Sequence, residues 1–100
     1  MPDLPDFGFA PPPFDAAGAI AHLKRALRDL RLAERGTGFE LRGKRVAELQ
    51  LEGGAIAAKT ARKLALTPAW DRVQIRNAAE QRKWLDDLKK RLARWEAGED

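Results

Sequence analysis

The side chains that most often do chemistry are scarce in this chain. It contains no serine, no cysteine and no tyrosine; Thr37, Thr60 and Thr67 are the only hydroxyls, and His22 is the only imidazole. A nucleophile activated by a neighbouring base needs a Ser or Cys within reach of a His, so Ser/His and Cys/His arrangements are excluded. One imidazole and no thiolate cannot close a tetrahedral zinc shell. What remains is carboxylate or lysine acid–base chemistry, in a chain too short to enclose much of a pocket. The expectation is therefore a protein that is not an enzyme, with no catalytic residue, metal or cofactor. His22 sits within a helical stretch and reads as a surface or boundary histidine.

One pattern imitates a phosphate loop. Gly38, Gly43 and Lys44 have the spacing of a P-loop, but Arg45 stands where Ser or Thr would hold magnesium. Such a loop also joins a strand to a helix N-terminus, whose free N–H groups cradle the phosphate. Here a helix precedes and a strand-like run follows, so the glycines read as a hairpin turn.

Basic residues form the other candidate site. The net charge is +4, concentrated in the middle of the chain. Residues 1–22 hold Asp3, Asp6 and Asp15 with no base, whereas 41–76 hold eight Lys/Arg against Glu48, Glu52 and Asp71. Arg42, Lys44, Arg45, Lys59, Arg62 and Lys63 are the candidate nucleic-acid contacts, and binding through them would weaken steeply with salt. Read as a helix, 55–66 would turn Lys59, Arg62 and Lys63 outward together. A helix-turn-helix reading of 45–66 fails, since Leu49 or Gln50 stands where a small residue is wanted. Only Phe39 and Trp70 could offer bases a stacking surface.

Residues 1–14 hold five of the six prolines and three of the four phenylalanines. Consecutive prolines deny the backbone helix or ladder hydrogen bonds, so this segment is a tail. Phe7, Phe9 and Phe14 are its candidate partner-binding residues, as anchors of a docking peptide; the alternatives are that the tail folds back over its own domain or stays disordered.

The elements that would position these residues follow from periodicity. Asp15 caps a helix over 16–34, with Ile20, Leu23, Leu27 and Leu30 on one face and Gly36 just beyond its end. Phe39 and Leu41, then Ala47, Leu49 and Leu51, alternate with polar residues around Arg42-Gly43-Lys44, which predicts a β-hairpin ended by Gly53-Gly54. The alanine-rich run 55–66 predicts a short helix with Ile56, Ala57, Thr60, Ala61 and Leu64 inward, a strand being the alternative. Thr67-Pro68 breaks the chain. A third strand follows at Trp70–Arg76, with Val73 and Ile75 facing one way. Asn77 and Glu80 form the capping box of a last helix, with Trp84, Leu85, Leu88, Leu92 and Trp95 on its apolar face. Its Asp86–Lys90 and Asp87–Arg91 pairs are spaced for i,i+4 bridges.

Gly43-Lys44-Arg45-Val46-Ala47, followed by Gln50 and Gly53, resembles the hairpin of the gpW family of small phage head–tail joining proteins. The likeness covers about 11 residues, and some twenty more are inserted before the last helix. It implies a helix–hairpin–helix order and an assembly or connector role.

The combined expectation is one α+β domain over 15–97, behind a tail at 1–14 and before a frayed end at 98–100. Two long amphipathic helices pack on a small antiparallel sheet in the order α-β-β-α-β-α; an all-α bundle is the alternative. The acidic, Pro-rich start differs from a basic, then apolar, secretory signal. No apolar run is long enough to cross a membrane, and a cytoplasmic location is expected. Function is expected to be that of a non-catalytic adaptor docking a protein assembly through its tail and helical faces. The second reading is a small nucleic-acid-binding protein using 42–76. Self-association into a homo-oligomer is weighed beside both.

Overall fold

Asp15 opens the first helix by accepting a hydrogen bond from the Gly18 N–H at 3.0 Å. In the computed structural model, which describes residues 14–98, this helix is α1 (Ala16–Asp29). Ile20, Leu23 and Leu27 are its buried stripe. It stops earlier than the periodicity predicts. Leu30 is the C-cap, and Arg31 then takes a left-handed φ of 68°. The Leu32 N–H bonds back to the Leu27 carbonyl at 3.2 Å, a Schellman closure made without glycine. A non-glycine residue there costs about 1 kcal/mol, which burial of the Leu32 side chain offsets. Gly36, expected to cap this helix, instead turns β1 (Ala33–Arg35) into β2 (Gly38–Leu41).

Five strands follow rather than two plus one. They continue as β3 (Lys44–Glu52), β4 (Ala55–Ala61) and β5 (Trp70–Ile75), and the last helix is α2 (Ala78–Glu96). The sheet is an antiparallel meander in the order β1-β2-β3-β4-β5. The α+β class and the antiparallel sheet thus agree with expectation, and the α-β-β-α-β-α order gives way to a helix, five strands and a helix. The helix–hairpin–helix order implied by the gpW resemblance gives way likewise, its hairpin being one part of the meander.

The largest correction is 55–66. Alanine favours helix, but Ile56, Ala58 and Thr60 are buried at period two, with Ala57 and Lys59 between them only partly covered. Pairing with β3 on one side and β5 on the other satisfies the backbone of this central strand. That long-range pairing overrides a propensity worth a few tenths of a kcal/mol per residue. The P-loop lookalike resolves as a turn: Arg42 and Gly43 both have positive φ (55° and 78°), the two-residue I′ geometry that matches strand twist.

Both helices lie on one face of the sheet. A single row of cross-strand neighbours, Glu34–Phe39–Ala47–Thr60–Asp71, runs across all five strands on that face. Glu34 reaches Arg28 of α1 at 2.8 Å, Thr60 meets Trp84 of α2, and Asp71 meets Arg91 of α2. Small residues at Ala47, Ala58 and Thr60 leave room for the helices' Leu and Trp side chains. Val46 is the extra residue of a bulge opposite Phe39/Glu40, so Val46 and Ala47 are both buried. Among the described residues no helix is long and apolar enough to cross a membrane.

Candidate interaction surfaces

The meander places the β2–β3 turn and the β4–β5 connection at the same end of the sheet, where both helices also finish. Arg42, Lys44, Arg62 and Lys63 therefore gather at that end although twenty residues separate them. Arg31 joins them, because Leu30 and Leu41 line one small hollow with Lys89 and Leu92. Of these, Arg62 has an acidic partner among the described residues, its Nε standing 2.7 Å from Asp71 Oδ1.

The other two candidate contacts lie on the outer sheet face. The Arg45 guanidinium covers Gly38, where an added Cβ would stand 2.7 Å from it. Arg45 donates to Glu48 at 3.1 Å and to the Arg35 carbonyl at 3.4 Å. Lys59, on the next strand, lies 3.7 Å from the same Glu48. The outward helical row of Lys59, Arg62 and Lys63 does not exist: Lys59 projects from a strand, and the other two follow its end.

A second surface joins α2 to β5. Thr60, Asp71, Val73, Lys83, Trp84 and Asp87 line an open hollow of about 340 Å³. At its floor the Trp84 indole N–H donates to Thr60 Oγ1 at 2.9 Å, and both residues are buried. At its rim Arg91 donates to the Ala61 carbonyl at 3.0 Å, and bridges Asp71 at 2.9 Å and Asp87 at 3.0 Å. The Asp87–Arg91 pair expected from spacing is thus formed. Hydrogen bonds from Arg62 and Arg91 hold the Asp71 carboxyl below the usual carboxylate range. Both of its oxygens are engaged by guanidinium groups, so it works as a fixed anion that ties α2 and the β4–β5 connection together. Sequence spacing could not show this clamp, whose members lie far apart in the chain.

Glu80 is held low in the same way by Arg76, whose backbone N–H donates to it at 2.8 Å while the Glu80 N–H donates to Asn77 at 2.8 Å. A carboxyl with a depressed folded pKa stabilises the fold fully above its unfolded pKa, and that stabilisation is lost as pH falls towards the folded value. The stability lost on acidification below about pH 4 is therefore expected to be smaller in Asp71→Asn than in the parent. Urea midpoints measured from pH 5 to pH 2 test this; parallel curves would refute the clamp.

Of the tail candidates, Phe14 is partly buried and packs against the core, and Phe7 and Phe9 lie outside the described residues. Trp84, Leu88, Leu92 and Trp95 are core residues, and His22 is an exposed residue of α1. No family model, curated protein or solved structure matches the chain.

Proposed function

We propose that the chain is a non-catalytic adaptor that docks a macromolecular protein assembly through Phe7 and Phe9 of its tail. The observation that supports this is the packing of Phe14 against the core at the start of α1. It gives the tail a root on a rigid element, so a docking peptide begins from a defined point. The fixed ion pairs around Asp71 suit a scaffold, since a carboxylate held ionised by two guanidiniums is a poor proton donor.

A second reading, nucleic-acid binding, is favoured by the basic end of the sheet. All nineteen Lys and Arg lie within 14–98, whereas four of the fifteen acids (Asp3, Asp6, Glu99 and Asp100) lie outside it. The fold thus carries a surplus of eight positive charges, enough to attract a phosphate backbone.

One experiment separates the two. The doubly substituted Phe7→Ala/Phe9→Ala chain should melt like the parent and lose its protein complex from source cells, by about thirtyfold in affinity for two lost aromatic anchors. An unchanged complex overturns the adaptor reading. Micromolar binding of a labelled DNA duplex that weakens steeply with salt and is lost in Arg42→Glu/Lys44→Glu would establish the second reading in its place.

A further inference from the structure

The sheet has two edges. β1 is three residues long, whereas β5 is six. The Arg62 N–H donates to the Ala69 carbonyl at 2.9 Å, which makes 62/69 a hydrogen-bonded pair of the β4–β5 ladder. Such pairs alternate along an antiparallel ladder. Asp71, Val73 and Ile75 therefore turn their backbone groups towards β4, and Trp70, Arg72 and Gln74 turn theirs outward. No bulge interrupts the β4–β5 register. Val73, on the helix face of this edge strand, is 43% exposed. Among the described residues no group pairs with these outward positions, and unpaired backbone groups beside exposed apolar surface are a template for another strand.

We propose that β5 pairs antiparallel with β5 of a second copy, about a two-fold axis through Val73, making one continuous sheet. Outward-facing residues must meet outward-facing residues, so the axis has to pass through a residue of the strand. An axis through Arg72 sets two guanidiniums face to face, one through Asp71 sets two carboxylates together, and one through Gln74 sets Arg72 against Arg76. The axis through Val73 instead places Arg72 opposite Gln74 in hydrogen-bonded pairs. It also brings the two valines together at a non-hydrogen-bonded position, where side chains approach closest.

The helices agree with this register. α2 lies over β4 and β5, as the Trp84–Thr60 and Arg91–Asp71 contacts show. With strands about 4.8 Å apart, the two α2 axes come to lie about 10 Å from each other, a normal helix-packing distance. The side of α2 lining the hollow at this edge reads Glu80, Lys83, Asp87, Arg91, charges that alternate in sign. Reversed by a two-fold, that order sets Lys83 facing the second copy's Asp87, while Glu80 and Arg91 keep the partners they have within their own copy, Arg76 and Asp71. Val73, Lys83 and Asp87 line the same hollow, so the strand and the helix place the axis at the same point.

Sedimentation equilibrium of the full chain should give twice its 11.2 kDa mass at micromolar concentration. Val73→Asp puts two carboxylates on the axis and should weaken association at least about a hundredfold, with the far-ultraviolet circular dichroism unchanged. Lys83→Asp should weaken it too, and adding Asp87→Lys should restore it. Those helix variants decide the matter even if the Val73 change disturbs folding. A parent chain that stays monomeric at about 100 μM, a concentration far above a micromolar dissociation constant, overturns the proposal, whether or not β5 then accepts an extended peptide. So does a dimer indifferent to both Val73→Asp and Lys83→Asp. The pairing does not depend on the tail, and tail variants should leave the mass unchanged.

Discussion

Phe39→Ala is expected to destabilise the fold by about 3–5 kcal/mol, read as a shift of the urea midpoint. Phe39 is fully buried and stands between Ala47 on β3 and Glu34 on β1, whose carboxylate is held by Arg28, so no apolar cross-strand neighbour can move in to fill the space it leaves. A domain of this size has about 5–15 kcal/mol of stability, and the variant would retain little of it. Phe39 is also the buried aromatic that the sheet supplies to the core, where α2 supplies Trp84 and Trp95. A loss below about 1 kcal/mol would mean that the surrounding core closes over the cavity and would refute the role given to Phe39.

Trp84→Ala should cost a comparable amount, about 3–5 kcal/mol, and its milder variants separate packing from hydrogen bonding. Trp84 and Trp95 are equally buried, at 3% exposure each. Trp84 Nε1 donates to buried Thr60, whereas Trp95 Nε1 has no partner among the described residues. Trp84→Phe leaves the Thr60 hydroxyl without that partner in a buried site, at a cost of about 1–3 kcal/mol. Trp95→Phe removes an indole N–H that gains nothing from its surroundings, so it should be the milder change by about 1 kcal/mol. Equal losses in thermal or urea melts would show that the Trp84–Thr60 bond contributes nothing beyond shape.

The same two tryptophans show how much of the molecule is local. Trp84, Leu88, Leu92 and Trp95 recur at helical spacing and announce α2 and its buried face without any knowledge of what covers it. The Asn77/Glu80 cap and the Asp87–Arg91 pair are equally legible, because each joins residues within one turn of helix. The bond from Trp84 to Thr60 spans 24 positions. It exists only because β4 lies beneath α2, and β4 was the segment whose local composition argued for a helix.

Two other local signals are overridden in the same way. Gly53-Gly54 marked the end of a hairpin, yet it is the turn into β4, where Glu52 pairs with Ala55 and Gly53 has a φ of 62°. A glycine pair between an alternating run and an alanine-rich run does not say which state the second run adopts. α1 ends before its periodicity does because its left-handed cap is Arg31, and nothing in arginine's own preferences marks that conformation. What permits it is the burial of Leu32 in a core made largely by other elements.

The sequence by itself determined the absence of Ser, Cys and Tyr chemistry, the two amphipathic helices and the turn at Gly43, and it left an all-α bundle open beside the α+β class. Each follows from residue identity or from spacings no longer than a few turns. Only the tertiary structure decided that 55–61 is a strand, that the basic residues gather at one end of the sheet, and that Asp71 clamps Arg62 and Arg91. The physical reason is that ladder hydrogen bonds and burial between distant segments outweigh local preferences of a few tenths of a kcal/mol per residue. Those distant pairings appear only once the chain has folded.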